Sequence, residues 1–395
     1  MPFEIRFDNL PAGYAAQDKK EGDTHASVIA TEFTSSEDGD LFVSRLEGIP
    51  SDILSKIQTP ERIREGTVDH LLAVIRPDKS ATVYINELTL RGRFKIKRPF
   101  AEGEAVYSND IADIEMIELL LGDKDVAPPS DAAVLLIFSV GWRKGLFYDF
   151  RPLFPPKVGP QSRKYDLAIL LGQYYAYLMF QDRFKLTDQD WANLTKQQWF
   201  PFIGLEPQTI TKMLSKAKKG DPIDDLLPQI QQDLAKRIPF IKAKWIKSPL
   251  LKDHFRFLET AIERHVQGDY ISAATILFTR IEGILRSYGG CDETGAPAAQ
   301  QRHLTKAITR KGLTNAHAYS LLMPNKFESY LRNVYFAQFD VRNPETLSVV
   351  NRNTVSHGVV PAESFSLKAS TIGLLIFDQL SYYSGQKPLS HHSPP

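Results

Sequence analysis

"DYISAATILFTRIEGILRSYG", Asp269–Gly289, decides how the second half of this chain folds. Its apolar residues recur at three and four spacing, the repeat that gathers them on one face of an α-helix, and "KDHFRFLETAIERHVQ", Lys252–Gln267, shares that repeat with Gly268 at the junction. Toward the C-terminus, "RHLTKAITRKG" (Arg302–Gly312), "KFESYLRNVYFAQF" (Lys326–Phe339) and the long "SFSLKASTIGLLIFDQLSYY" (Ser364–Tyr383) predict more helices, before a polar tail that contains His391 and His392. Toward the N-terminus, "PIDDLLPQIQQDLAKR" (Pro222–Arg237) follows a Gly-Asp-Pro break, and "TDQDWANLTKQQW" begins like a helix capped at Thr187. "DLAILLGQYYAYLMFQDRF" (Asp166–Phe184) is apolar nearly all round, which suits a buried helix.

The first 150 residues change character. "FEIRF", "HASVIATEF", "DLFVSRL", "HLLAVIRP", "ATVYINELTL", "RFKIKRPF" and "AAVLLIFSV" are rich in β-branched and aromatic residues, separate at Gly, Pro, Asp and Ser clusters, and predict strands. "RPDKSA" (Arg76–Ala81) reads as a hairpin turn. "NDIADIEMIELLLG" predicts one helix among the strands, with Asn109 as N-cap and Gly122 past its end. The proline-rich stretch Phe147–Tyr165 then interrupts regular structure. The expected fold class is α+β: a mostly antiparallel, β-rich domain at 1–155, a helical middle region with a basic linker at 156–250, an all-α bundle at 251–388 and a flexible tail at 389–395.

Composition narrows the function classes. A chain of 395 residues, 43% apolar and 24% charged, can bury a large core in two or three domains. It has no apolar run near the length of a membrane span and no secretory leader pattern, so no membrane partner is expected and a reducing cytoplasm fits best. One cysteine, Cys291, cannot form an internal disulfide, and no Cys/His cluster suggests a metal; neither metal nor cofactor is expected. A net charge of +1 gives no global attraction to polyanions, so a nucleic-acid partner must be held by a local patch.

The chemistry-bearing stretch is "NRNTVSHG", Asn351–Gly358. Arginine with histidine five to seven residues on also occurs at Arg64/His70 and Arg310/His317, and Arg-Asn recurs at Arg332 and Arg342, so neither spacing nor dipeptide suffices. The third instance alone has Asn353 after the arginine, Gly358 after the histidine, and long amphipathic helices on either side. Its plain reading is a helix start with a capping Asn and a glycine bend, the histidine exposed. In a regular helix Asn353 and His357 share a face, whereas Arg352 points about 140° away from His357, so a shared site needs an irregular turn or a second subunit.

With these residues in view, the C-terminal third, about Asp253 to Tyr383, resembles the HEPN superfamily (higher eukaryotes and prokaryotes nucleotide-binding domain), an all-helical bundle. Its ribonuclease members carry Arg, a polar residue, three to five further residues and His, a pattern that "RNTVSHG" fits at Arg352, Asn353 and His357. "GDYISAATILFTRIEGILRSYG" is similar to the early helices of such domains. The resemblance implies metal-independent endoribonuclease activity, a homodimer with the two motifs in one cleft, and an antiviral, abortive-infection or toxin-type effector. The N-terminal domain would then meet a trigger or neutralising partner.

The implied chemistry is sensible on its own terms. RNA carries its nucleophile in the 2′-hydroxyl, so cleavage to a 2′,3′-cyclic phosphate and a 5′-hydroxyl needs only a group that moves protons near neutrality and a fixed cation for the charged phosphorane. His357 suits the first role and Arg352 the second; Asn353 cannot titrate and would orient the substrate or the histidine. Glu282 sits among apolar residues at helical spacing, where it pairs with Arg286 four residues on or else orients Arg352 or His357; the plain ion pair is preferred. Lys236–Lys252 holds six basic residues and no acidic one, so Lys242, Lys244 and Lys247 could hold an RNA backbone with Trp245 or Phe240 stacking on a base; a solvated face, or a half-buried strand or amphipathic helix, is the plain alternative. "SVGWRKGLFYDFRP" (Ser139–Pro152) reads more simply as core plus hairpin than as a binding loop. The rival to an enzyme is a non-catalytic HEPN-like module for RNA or nucleotide binding or for dimerisation.

Overall fold

The structure, a computed structural model, describes residues 2–15, 21–22, 24–58, 63–154, 162–289, 300–312 and 319–383. The fold is α+β, with antiparallel sheets mostly toward the N-terminus and helices toward the C-terminus. Two compact units are present: residues 1–93 with 114–181, and residues 94–113 with 182–395. The segment 156–250 accordingly divides between them. Cys291 and the tail at 389–395 lie outside the described residues. No helix among the described residues is long and apolar enough to cross a membrane.

The first unit is built on strands β1 (Phe3–Arg6), β2 (Tyr14–Ala15), β3 (Val28–Ile29) and β4 (Thr31–Ser35), helices α1 (Asp40–Glu47) and α2 (Ile49–Ser55), then β5 (Leu71–Ile75), β6 (Ser80–Ile85), β7 (Thr89–Ile96), β8 (Ile111–Leu121), β9 (Lys124–Asp125), β10 (Ala133–Val140), β11 (Arg143–Asp149) and α3 (Leu167–Met179). The chain leaves this unit within β7 and returns within β8. Six strands form one sheet in the order β1-β6-β5-β10-β11-β4, and every pairing in it is antiparallel. The β5–β6 hairpin turns at Arg76–Ala81 as expected, with Lys79 at a positive φ of 71°. All five residues of β5 are buried because both faces of the sheet are covered. Leu71, Ala73 and Ile75 pack with Phe42, Ile53 and Leu54 of α1 and α2, while on the opposite face Phe33 stacks at 3.8 Å on Tyr174 of α3.

Two expected elements are corrected here. "DLFVSRL" is helix α1, not a strand: Gly39, at a φ of 58°, breaks the chain after β4. Burial then follows Phe42 and Leu46, four residues apart as on one helix face, and leaves Leu41 and Val43 exposed. "NDIADIEMIELLLG" is strand β8, not a helix: its apolar residues satisfy either period, and pairing between β7 and β9 settles the matter. Gly122, at a φ of 61°, is the turn residue between Leu121 and Lys124 rather than a helix C-cap.

The second unit contains α4 (Gln181–Phe184, which begins at the boundary), α5 (Asp188–Lys196), α6 (Pro207–Lys219), α7 (Leu227–Trp245), α8 (Phe255–Val266), α9 (Tyr270–Gly289), α10 (Gln301–Gly312), α11 (Pro324–Tyr330), α12 (Pro344–Leu347), α13 (Arg352–Ser356) and α14 (Leu367–Tyr383). Thr187 caps α5 through a reciprocal capping box with Asp190. Helix α9, which contains most of Asp269–Gly289, is central: α8, α10, α13 and α14 all pack against it. Leu277, Ile281, Ile284 and Leu285 are fully buried on its inner face. Gly373 lets α14 approach it closely, since a Cβ there would lie 2.9 Å from the Leu277 side chain.

Helix α14 also carries polar residues into this interior. Asp378 is fully buried, accepts a 2.9 Å hydrogen bond from Arg237 Nη2 and is paired with Lys244 Nζ. Burial works to raise its pKa, and the cations of Lys244 and Arg237 outweigh that, so the net shift is downward. His265 of α8 is buried between Ser370 Oγ (2.8 Å) and Gln231 Oε1 (3.1 Å). Burial pushes its pKa down to about 4.

Candidate active site

The motif occupies one helical turn. Asn351 is the N-cap of α13: its side chain accepts from the Thr354 N–H, and Thr354 Oγ1 accepts in return from the Asn351 N–H, both at 3.0 Å. His357 ends the turn with its N–H on the Asn353 carbonyl at 3.1 Å, and Gly358, at a φ of 65°, releases the chain. The plain features of the sequence reading are therefore all present: capping asparagine, glycine bend and exposed histidine.

Side-chain bonds give the turn more than that. Glu282 of α9 presents one carboxylate oxygen to Arg286 Nη2 at 2.6 Å and the other to Arg352 Nε at 2.5 Å. The ion pair with Arg286 and the orientation of Arg352, weighed as alternatives, thus occur together. One negative charge lies between two positive ones. Arg352 Nη1 donates to Asn353 Oδ1 at 2.9 Å, leaving Nη2 as the guanidinium nitrogen with no hydrogen bond among the described residues.

Asn353 differs from expectation. It is buried, and its amide is fully engaged by the protein: Oδ1 also accepts from Gln301 Nε2 at 3.1 Å, and Nδ2 donates to the carbonyls of Phe336 and Ala337 at 3.1 and 3.0 Å. Those carbonyls follow the helix that ends at Tyr335, where backbone acceptors lack intrahelical partners. Asn353 is thus a positioning residue for Arg352, and its amide is not free to orient a substrate or the His357 ring. The imidazole lies 5.6 Å from the Phe339 ring and has no hydrogen-bond partner among the described residues. Arg352 and His357 make no direct bond within the chain.

Beside Asn353 lies a cleft of about 420 Å³. Gln301 and Arg302 from the start of α10, with Arg332, Asn333, Phe336 and Gln338, form much of its wall. Arg332 and Asn333 belong to a π-helical turn, Leu331–Tyr335, closed by a 2.8 Å bond from the Phe336 N–H to the Leu331 carbonyl. Tyr335 anchors that turn to α9 through a 2.7 Å bond to the Phe278 carbonyl; burial first, and the nearby Glu282 carboxylate second, raise its phenol well above the ordinary value. Sequence reasoning missed this cleft. The Arg332-Asn333 dipeptide served only as a control for chance, and nothing in the sequence joins Gln301 to Asn353.

The basic segment is placed elsewhere: Lys236–Trp245 form the second half of α7, and Lys247 and Lys252 follow its end. Trp245 is fully buried, its ring 5.8 Å from Phe377, so its stacking on a base is corrected: no face of the indole is open, whereas Phe240 is exposed. Lys244 is committed to Asp378 and lies 3.5 Å over the Tyr382 ring, and Lys242 pairs with Glu259 at 2.7 Å. Lys247 is exposed. The plain alternative, a half-buried amphipathic helix, describes Lys236–Trp245. No family model matches the chain, and neither does any curated protein or solved structure compared with it.

Proposed function

We propose that the chain is a metal-independent endoribonuclease whose helical unit is an RNase-type HEPN bundle, with His357 and Arg352 as its catalytic pair. The observation that carries this reading is the anchoring of Arg352. Glu282 and Asn353 hold its guanidinium in place and leave Nη2 without a hydrogen bond among the described residues, on the same turn that exposes the His357 imidazole.

A fixed guanidinium with a free donor edge suits an anionic, pentacoordinate phosphorus centre, because no reorganisation is needed as charge builds. An accessible imidazole suits proton transfer near neutrality. The 2′-hydroxyl attacks the adjacent phosphorus as His357 takes its proton; the P–O5′ bond breaks, and the leaving oxygen takes a proton from an imidazolium or water. The products are a 2′,3′-cyclic phosphate and a 5′-hydroxyl. Residues five apart in a helix stand about 140° apart around its axis, so Arg352 of one copy and His357 of another face a common substrate in a homodimer. The role that fits such an activity is an antiviral, abortive-infection or toxin-type effector, its N-terminal unit meeting the trigger or a neutralising partner.

A non-catalytic module that binds RNA or nucleotide, or dimerises, is the second reading. The filled hydrogen bonds of Asn353 favour it, since they would make a good structural turn without any chemistry. His357→Ala separates the two: an exposed side chain can be removed with little change in stability or assembly. The enzyme reading expects RNA cleavage to fall about 10²–10⁴-fold while the oligomeric state is kept; wild-type protein that cuts no RNA supports the module.

A further inference from the structure

We propose that the cleft walled by Arg302 and Arg332 is the groove that grips the backbone of a single-stranded RNA next to the catalytic turn. The inference deepens the nuclease reading and rests on it for the identity of the polymer. Three observations meet here.

The first is charge. Arg286 and Arg352 share Glu282, and Arg237 and Lys244 share Asp378, whereas Arg302 and Arg332 have no carboxylate partner among the described residues. Arg302 Nε bonds only its neighbour His303 at 3.3 Å, and Arg332 Nη2 reaches Ser329 Oγ at a weak 3.5 Å. Both side chains are exposed, and no acidic residue lines the cleft among the described residues. Two guanidinium groups without counter-ions among the described residues, in a concave site, attract phosphates and can hold them bidentately.

The second is backbone shape. A π turn is wider than an α turn, so consecutive side chains step by less than about 100° and Arg332 and Asn333 both reach the same cleft. Such turns cost regular hydrogen bonding and occur frequently at functional sites. The third is continuity with the catalytic turn. The same Asn353 amide that positions Arg352 also bonds Gln301 and the carbonyls of Phe336 and Ala337, all four of which line the cleft or the turn beside it. A strand held in the cleft therefore lies against the structure that fixes Arg352. Asn333 and Gln338 add amides that can donate to and accept from base edges and 2′-hydroxyls.

The test is direct binding of a fluorescent single-stranded RNA to the full-length His357→Ala protein, followed by anisotropy across a salt series, so that cleavage plays no part. Arg302→Ala and Arg332→Ala should each weaken binding about tenfold, and together they should reduce the slope of log affinity against log salt by about 1.4. The double lysine variant, which keeps both charges, should retain the slope. Lys218→Ala with Lys219→Ala, two exposed cations at the end of α6, is the control for general surface charge and should change little. Unchanged affinity and slope in a folded double-alanine variant overturn the proposal, and so does an equal loss in the control. If wild-type protein cuts no RNA while the arginine variants still lose binding, the nuclease reading fails and the groove stands.

Discussion

Two carboxylates in the helical unit each hold two cations, and they differ in depth. Asp378 is 1% exposed and binds Arg237 and Lys244; Glu282 is 12% exposed and binds Arg286 and Arg352, themselves 45% and 25% exposed. Around Asp378 both cations are committed to the carboxylate, Arg237 at 10% and Lys244 at 27% exposure, and the cluster ties α7 to α14. Around Glu282 the pairing fixes Arg352 but leaves one of its nitrogens open beside an exposed histidine and a cleft with two further arginines. The same three-charge device thus serves the interior in one place and orients a surface cation in the other.

The largest effect expected from breaking this comparison is at Asp378. Replacement by alanine strands the nearly buried Arg237 guanidinium and should destabilise the protein by about 3–5 kcal/mol; a denaturant midpoint close to wild type would show that the cluster is not structural.

His265 sharpens the buried side through pH. Its pKa is about 4 in the fold against 6.5 in the unfolded chain, so between these values the unfolded state binds the extra proton. The stability it contributes is complete above pH 6.5 and is lost as pH falls toward 4, a difference of about 3 kcal/mol. Denaturant midpoints at pH 7 and pH 4.5 should therefore converge in a folded His265→Gln variant relative to wild type; equal acid sensitivity in both would remove His265 as the cause.

Glu282→Gln tests the other side. A part-exposed ion pair is worth about 1 kcal/mol or less, so stability should barely move, whereas losing the charged bond that orients Arg352 should cut RNA cleavage about 10–100-fold, mostly in kcat. Destabilisation as large as that of Asp378→Ala would erase the distinction between the clusters. The smallest effect is expected for Lys242→Ala and Lys247→Ala, which lie outside the cleft and should change RNA affinity less than about threefold.

Much of this was legible in the sequence where local rules and tertiary packing agree. Thr187 and Asp190 announce the start of α5, Arg76–Ala81 announces its turn, and the spacing in Asp269–Gly289 announces the central helix. Reading failed where two periods fit the same residues: Ile111–Leu121 could be helix or strand until neighbouring strands decided, and Asp40–Leu46 is β-prone in composition but follows a glycine break and buries at helical spacing. At the site, Arg352, Asn353 and His357 are close in sequence and could be found as a cluster. Gln301, Arg302 and Arg332 could not, because a π turn and a side-chain bond across 52 positions bring them to Asn353. Trp245 looked open in a basic run because a sequence does not say which way a helix face points; here it points inward.

The most direct measurement of the central claim is the chemistry of the cut. Purified full-length protein, incubated with single-stranded RNA in excess chelator, should leave 2′,3′-cyclic phosphate and 5′-hydroxyl ends, and the His357→Ala protein should leave the RNA intact. Cleavage that requires a divalent metal, ends bearing a 5′-phosphate, or equal cutting by the His357→Ala protein would contradict the account.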